Sequence, residues 1–379
     1  MAREKRIQST VRKTERPAAK RNNRKSKTQS ATLAEEIAAA SVAIQDSDDK
    51  GKLTQQIRRL QVDLAARNTE IKKVVDELNH LHGRIELAEA TYNPARRYRI
   101  GSAVSGKASS CTALLMLSDL HLEERVDPEV CMGYRYNLEI AAKRNDRVIN
   151  TAIEVLQNQR RFFPWKDMVI WLGGDMISGA IHQELEATNF QGPAEAILFA
   201  QDMMLADIEK IRTALTPRKV TIVCNMGNHG RTTHRKRFAD GYNHSWEWLA
   251  FHNMARLFAK DKAVEFIIAK GSLIEIEIES TPIRFTHGDD IRFDGGVGGV
   301  FIPLAKKIAN WDRRWKAAKT ILGHFHSHFH IDAAVMNGCL IGPNAYSIAG
   351  GFAAQRPSQT TAIVDSRRGF VDVTQIFAE

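Results

Sequence analysis

The sequence predicts an α/β domain preceded by a helical arm. Two patterns predict this: short β-rich apolar runs that alternate with helical periodicity from about residue 111 onward, and a seven-residue apolar repeat between residues 57 and 88. With 379 residues, 43% hydrophobic and 26% charged, the chain can bury at least one sizeable core. No run approaches the ~18 consecutive apolar residues of a membrane-spanning helix, so no membrane partner is expected. Cys111, Cys131, Cys224 and Cys339 lie far apart without a CxxC pair, which argues against a disulfide framework or a thiolate zinc site and suggests a reducing, cytoplasmic setting.

Charge is concentrated at the start. Residues 1–30 hold 11 Lys/Arg against Glu4 and Glu15, a net of +9, and the whole chain is +10, so 10 − 9 leaves +1 for the rest. A segment this cationic and this poor in large apolar side chains is expected to be disordered unless it lies on a polyanion, and nucleic acid is the partner that suits it. A solubilising tail is the plainer alternative.

No proline occurs between Pro17 and Pro94. Within that window Ile57, Leu64, Ile71, Leu78 and Ile85 share one heptad position, and Leu60, Arg67, Val74, Leu81 and Ala88 the other. This is the pattern of a coiled coil. It predicts self-association, with folding back onto the stretch from Thr32 to Ile44 as the alternative. His80 and His82 lie on or beside the seam and read as helix-surface residues. The expected organisation is a basic tail over 1–30, a helical region over 31–90, a linker over 91–110 and a catalytic domain over 111–379.

In that domain, strands are expected at Ala113 to Leu117, Met168 to Leu172, Val220 to Cys224, Leu273 to Ile278 and Thr361 to Val364. Helices are expected around Leu138 to Gln157, Ala194 to Leu215 and Ser245 to Phe258. Polar motifs end five of the apolar runs: Ser118-Asp119-Leu120-His121, Gly173-Gly174-Asp175, Gly227-Asn228-His229, Thr286-His287-Gly288 and Gly323-His324-Phe325-His326. Strand ends are where α/β sheets present their sites. In an extended backbone, alternate residues of D-x-H and H-x-H point the same way and can face one metal cluster. Carboxylates and imidazoles without thiolate suit Mn²⁺, Fe or Zn²⁺.

Taken in order, D-x-H, GD, GNH, H-G and G-H-x-H resemble the calcineurin-like metallophosphoesterases over about Ala113 to Asp365. The resemblance implies a two-sheet α/β/β/α sandwich with a dinuclear centre at the carboxyl ends of the strands. It further implies that Asp119, His121 and His326 hold one ion, that Asn228, His287 and His324 hold the other, and that Asp175 bridges them. His229 is then left to stabilise or protonate the leaving oxygen. Such a centre, with Mn²⁺ favoured and Fe or Zn²⁺ as alternatives, produces a bridging hydroxide for in-line attack on phosphorus.

Two departures from the family pattern stand out. Gly230 and Arg231 follow His229 where many relatives carry an acid that orients the imidazole. The GD motif also runs into Met176-Ile177-Ser178-Gly179 without a further acid. Asp289 and Asp290 could orient His229, although loop solvation is the simpler reading. His182, His328 and His330 read as pocket-lining or surface residues. Arg231, Arg235, Lys236 and Arg237 could accompany a phosphodiester backbone into the site, and residues 293–299 could cradle an anion at a helix N-terminus.

These features favour a metal-dependent phosphodiesterase acting on nucleic acid, a DNA nuclease, by loose analogy a phage or bacterial DNA-processing protein. A phosphatase or cyclic-nucleotide phosphodiesterase on a small substrate is the first alternative. A non-catalytic coiled-coil DNA-binding assembly factor is the second.

Overall fold

The computed structural model describes residues 50–91, 99–100, 109–292, 299–350 and 355–379. The basic tail, the Thr32 to Ile44 stretch and residues 293–298 of the expected anion cradle lie outside them. Two compact units are present, residues 1–90 and 91–379.

In the first unit, α1 (Lys50–Thr91) runs unbroken for 42 residues, about 63 Å at 1.5 Å per residue. It begins earlier and ends later than the heptads require. Among the described side chains of its seam, Leu60, Ile71 and Val74 are exposed, and Ile57 and Leu64 are half-buried.

In the second unit, one six-stranded sheet has the order β12-β11-β2-β3-β4-β5 and the other β1-β6-β7-β8-β10-β9. The first sheet is built from β2 (Cys111–Leu117), β3 (Asp167–Leu172), β4 (Lys219–Cys224) and β5 (Val264–Ile268), all parallel, with β11 (Ser358–Asp365) and β12 (Gly369–Phe377) added antiparallel. The second contains β1 (Arg99–Ile100), β6 (Leu273–Ile278), β7 (Thr281–Thr286), β8 (Lys319–Leu322), β9 (Phe329–Ile331) and β10 (Ala334–Met336).

Strand alternation creates the layers. On one face of the first sheet, Leu114, Met116, Val169, Trp171 and Val223 pack against Ile276, Ile283, Phe285 and Ile321 of the second. On its other face, Ala113, Leu115, Leu117, Ile170 and Ile222 pack against α2 (Leu138–Gln159), α4 (Pro193–Leu215) and α5 (Trp246–Leu257). The outer face of the second sheet is covered by α6 (Phe301–Asp312) through Leu304 and Ile308 against Leu322, Ala334 and Met336. Two short helices, α3 (Gln183–Thr188) and α7 (Ala345–Ala349), complete the described set. The result is an α/β/β/α sandwich whose central strands are buried on both faces, which explains why β2 and β3 read as continuous apolar runs.

Helix boundaries follow local chemistry. The Asn137 side chain accepts the Ile140 N–H and starts α2, Pro193 opens α4, and Ser245 caps α5 through Trp248 N. The linker expectation is corrected at one point. Arg99–Ile100 is a strand parallel to β6, because Ile100 is apolar enough to bury at the sheet edge while its carbonyl accepts the Glu279 N–H at 2.8 Å. Among the described residues no helix is long and apolar enough to cross a membrane.

Between α2 and α4, Asn145 Nδ2 donates to Asp207 Oδ2 at 2.8 Å, and burial pushes the Asp207 carboxyl up to about 7. The folded chain therefore keeps a proton that the unfolded chain releases near its ordinary value, and stability falls as pH rises from about 4 towards 7. Between pH 5 and 7, Asp207→Asn should gain about 1–2 kcal/mol on the parent in urea denaturation. A gap independent of pH would show that Asp207 does not carry this proton.

Candidate dinuclear metal centre

Parallel register brings the first three motifs to one end of the first sheet. Leu117 pairs with Leu172 and Leu172 with Cys224, so the chain leaves β2, β3 and β4 in a single row. The fourth and fifth motifs follow the ends of β7 and β8, which are also parallel.

Hydrogen bonds then interlock all five. Asp119 N donates to Gly174 O and His121 N to Asp175 O. His229 N donates to Asp175 Oδ1 at 2.7 Å, and Gly323 N to His287 O. Across the two sheets, His324 N donates to the Asp119 carboxylate at 2.9 and 3.1 Å.

Asp119, His121, Asp175, His324 and His326 all have positive φ, between 48° and 71°. The extended-backbone reading of D-x-H and H-x-H is thereby corrected. These residues lie just past the strand ends in left-handed conformation, at a cost of about 1–3 kcal/mol each that the surrounding bonds must offset. Neighbouring glycines are required for closeness: a Cβ on Gly227 would meet the Asp175 carboxylate, and one on Gly323 the Asp119 carboxylate.

Donor atoms gather in three groups, each within 4.8 Å: Asp119, His121 and His326; Asp175, His287 and His324; and His121, Asp175 and His229. Asp175 belongs to two of them. His287 Nδ1 lies 2.8 Å from Gly173 O, which only accepts, so Nδ1 carries a proton, and Nε2 faces Asp175 Oδ2 at 2.9 Å and Asn228 Oδ1 at 3.2 Å. Asp175 Oδ2 is fully buried and receives no well-directed hydrogen bond. On the other side, His121 Nδ1 is 2.8 Å from Ser178 Oγ, which donates to Glu124 Oε2 at 2.6 Å. His121 must then supply its own proton at Nδ1 and turn the Nε2 lone pair towards His326 Nε2, 3.1 Å away.

A buried cluster of carboxylates and imidazoles, with the lone pairs of His121 and His326 facing each other, fits divalent cations. Burial and neighbouring imidazoles push His121 well below its usual value, His324 to about 4 and His326 to about 3, leaving neutral rings at pH 7. Burial also pushes His287 down, but Asp175 overrides it and holds that imidazole well above its ordinary value. Burial raises Asp119 to about 7.

His229 is oriented by a group that the motifs do not contain. Its Nδ1 lies 2.9 Å from the Ser178 carbonyl, which takes the place of the acid absent after the GNH motif, and its ring stands edge-on to His121 at 4.8 Å. Asp289 and Asp290 do not serve this purpose. They grip Lys236 at 2.5 and 2.6 Å, which replaces the loop-solvation reading with a half-buried ion-pair cluster.

The four cations expected at the substrate are differently placed. Arg231 braces its own loop by donating to the Asn228, Thr233 and His234 carbonyls, and Arg237 pairs with Asp240. Lys236 is held by the two aspartates, and Arg235 points out as an exposed side chain. Arg231, Lys236 and Arg237 line a cleft beside Asn228, and Arg235 does not. His182 lies 6.4 Å from His229, centroid to centroid, whereas His328 contacts Thr360 and His330 contacts Lys319.

Sequence reasoning missed the supports. Glu247, buried in α5, accepts Met176 N and Gly227 N at 2.7 Å each and ties the second motif to the third; burial raises it to about 8. Glu123 accepts Ser178 N and Gly179 N, and Asn344 holds Glu124. The Glu123-Glu124 pair directly after D-x-H-x was the available signal.

No protein-family profile matches the chain, and neither does any curated protein. Solved structures do share similarity. A Vps29 variant from Entamoeba histolytica is 12% identical, covering 70% of this chain and 98% of that one with a TM-score of 0.29. The hypothetical protein PH1004 from Pyrococcus horikoshii is 12% identical, covering 71% and 89% at 0.34. The sulfate thiohydrolase SoxB from Thermus thermophilus is 8% identical, covering 73% and 58% at 0.28. The functional reading rests on the site itself.

Ser178→Ala removes the acceptor that sets the His121 tautomer. It should weaken Mn²⁺ binding about 10- to 100-fold in isothermal titration while leaving the fold intact by circular dichroism. Unchanged affinity would exclude His121 from the ligand set.

Proposed function

We propose that this chain is a dinuclear metal-dependent phosphodiesterase of the calcineurin-like type, with a nucleic acid as its substrate. The observation that carries the reading is the position of Asp175, a buried carboxylate shared by two groups of donors that arrive from both sheets. Asp119, His121 and His326 would hold one ion, and Asn228, His287 and His324 the other, with Asp175 between them. Mn²⁺ is the first candidate, since imidazole and carboxylate donors without thiolate suit it. When bound, two such ions neutralise a phosphate and lower the pKa of a water for in-line displacement at phosphorus.

The remaining work belongs to the chain. His229, with Nδ1 held by the Ser178 carbonyl, presents Nε2 as the proton donor for the leaving oxygen. Asp175 Oδ1 holds the His229 backbone and so sets where that ring stands. The net +9 of residues 1–30 supports a polyanionic substrate, and the exposed seam residues Leu60, Ile71 and Val74 of α1 support a second copy as its partner.

Asp175→Asn is expected to lower hydrolysis of bis(p-nitrophenyl) phosphate by about 10²–10³-fold or more, and elemental analysis should find less than the parent's two ions per chain. Full metal content with no turnover of any phosphoester in the parent would instead favour a binding protein. Removing residues 1–30 should raise KM on DNA and flatten its salt dependence; equal KM would remove the case for a polymer. Ile71→Glu should shift the protein from dimer to monomer in sedimentation equilibrium, and a monomeric parent would dismiss the pairing.

A further inference from the structure

The cleft beside Asn228 has features that metal chemistry does not need. Gly227 and Asn228 are part of its lining, so it adjoins the proposed centre. Its empty space, counted out to the mouth, is about 660 Å³. Arg231, Lys236, Arg237 and Lys270 line it with Asp289 and Asp290.

The charges do not cancel. Lys236 is spent on the two aspartates, and Arg237 is paired with Asp240. Arg231 donates its hydrogen bonds to carbonyl oxygens, with the Asp175 and Asp289 carboxylates near enough to act on it but not in contact. Lys270 sits 5.3 Å from the Tyr242 ring centroid, and among the described residues no carboxylate pairs with it. Four cations against Asp240, Asp289 and Asp290 leave a net of +1 at the cleft, and among the described residues Arg231 and Lys270 are its two cations outside ion pairs.

Two aromatic rings accompany them. Tyr242 packs against Trp248, ring centroids 5.4 Å apart and tilted by 54°, and Trp248 in turn packs on His252 at 4.1 Å. Phe238 lies at the lip and is 68% exposed, with Lys236 Nζ 5.4 Å from its centroid. A phenylalanine this exposed contributes little to folding, since most of its apolar area stays in water. Aromatic faces interleaved with cations are the chemistry that holds an unpaired nucleotide, the ring stacking a base and the cation meeting its phosphate.

We propose that this cleft is a nucleotide subsite that stacks an unpaired base of a nucleic-acid strand on Phe238 and Tyr242, with Arg231 and Lys270 on the adjoining phosphate. As a subsite for the strand being cut, it rests on the phosphodiesterase reading above. Base stacking tolerates any sequence, so the subsite selects for single-stranded character rather than for a motif.

The test uses the full-length, Mn²⁺-loaded protein with fluorescein-labelled dT6 and rU6 at about 0.2 M salt, where the contribution of the basic tail is much reduced. Phe238→Ala should weaken oligonucleotide binding about 5- to 150-fold, and Lys270→Ala should weaken it as well. For both variants the ratio of kcat/KM on the oligonucleotide to that on bis(p-nitrophenyl) phosphate should fall. Tighter binding of dT6 or rU6 by the parent, lost in Phe238→Ala, supports the subsite and names the sugar. Equal oligonucleotide affinity in parent and both variants overturns it, as does a phosphoserine peptide that competes as well as the oligonucleotide. The two readings fail separately. If the parent does not hydrolyse the small diester while Phe238→Ala still releases the strand, the hydrolytic reading falls and the binding site stands. If the diester is cleaved and the strand is indifferent to Phe238, the subsite falls alone.

Discussion

The structure depends on one constraint: the Asp175 carboxylate must be held, without contact with water, where loops from two facing sheets meet. Its Oδ1 is tied to the His229 backbone and its Oδ2 lies 2.9 Å from Nε2 of His287, whose imidazole it holds well above its ordinary value. Carboxylates and imidazoles converge in a dry interior only where positive charge, a proton or a metal ion, is held among them. Much of the surrounding construction can be understood as what makes that arrangement tolerable. Gly227 yields its side-chain space to the carboxylate, Glu247 binds the second and third motifs together, and five donors adopt left-handed backbone that only a tightly bonded loop cluster can maintain.

A second layer sets the direction of each ring. Ser178 serves two histidines at once, its hydroxyl on His121 and its carbonyl on His229, and Glu123 and Glu124 hold Ser178 in place. A backbone carbonyl can fix a tautomer as well as a carboxylate can, but it brings no charge. The ring of His229 is therefore oriented at Nδ1 by a neutral oxygen in place of a carboxylate. This is how the chain manages without an acid after its GNH motif.

Basic residues after that motif show how misleading a charge run can be when read one residue at a time. Of four cations in seven positions, one braces the loop, one is locked to Asp289 and Asp290, one is paired on the surface with Asp240, and one is exposed. The field inside the neighbouring cleft comes from Arg231 together with Lys270, a residue about 40 positions away that no local pattern marks.

Local patterns alone determined the α/β alternation, the bounds of α2, α4 and α5 to within a few residues, the long helix α1, and the five motifs from which the candidate ligands come. Periodicity and capping are properties of neighbouring residues, so they can be read along the chain. Tertiary structure alone decided which motifs touch. His121 and His326 meet from 205 positions apart, Glu247 reaches two loops from inside a helix, and Arg99–Ile100 became an edge strand instead of a linker. The left-handed backbone of the donors was hidden for the same reason: the bonds that hold it, such as His324 N to the Asp119 carboxylate, form only when the two sheets close on each other.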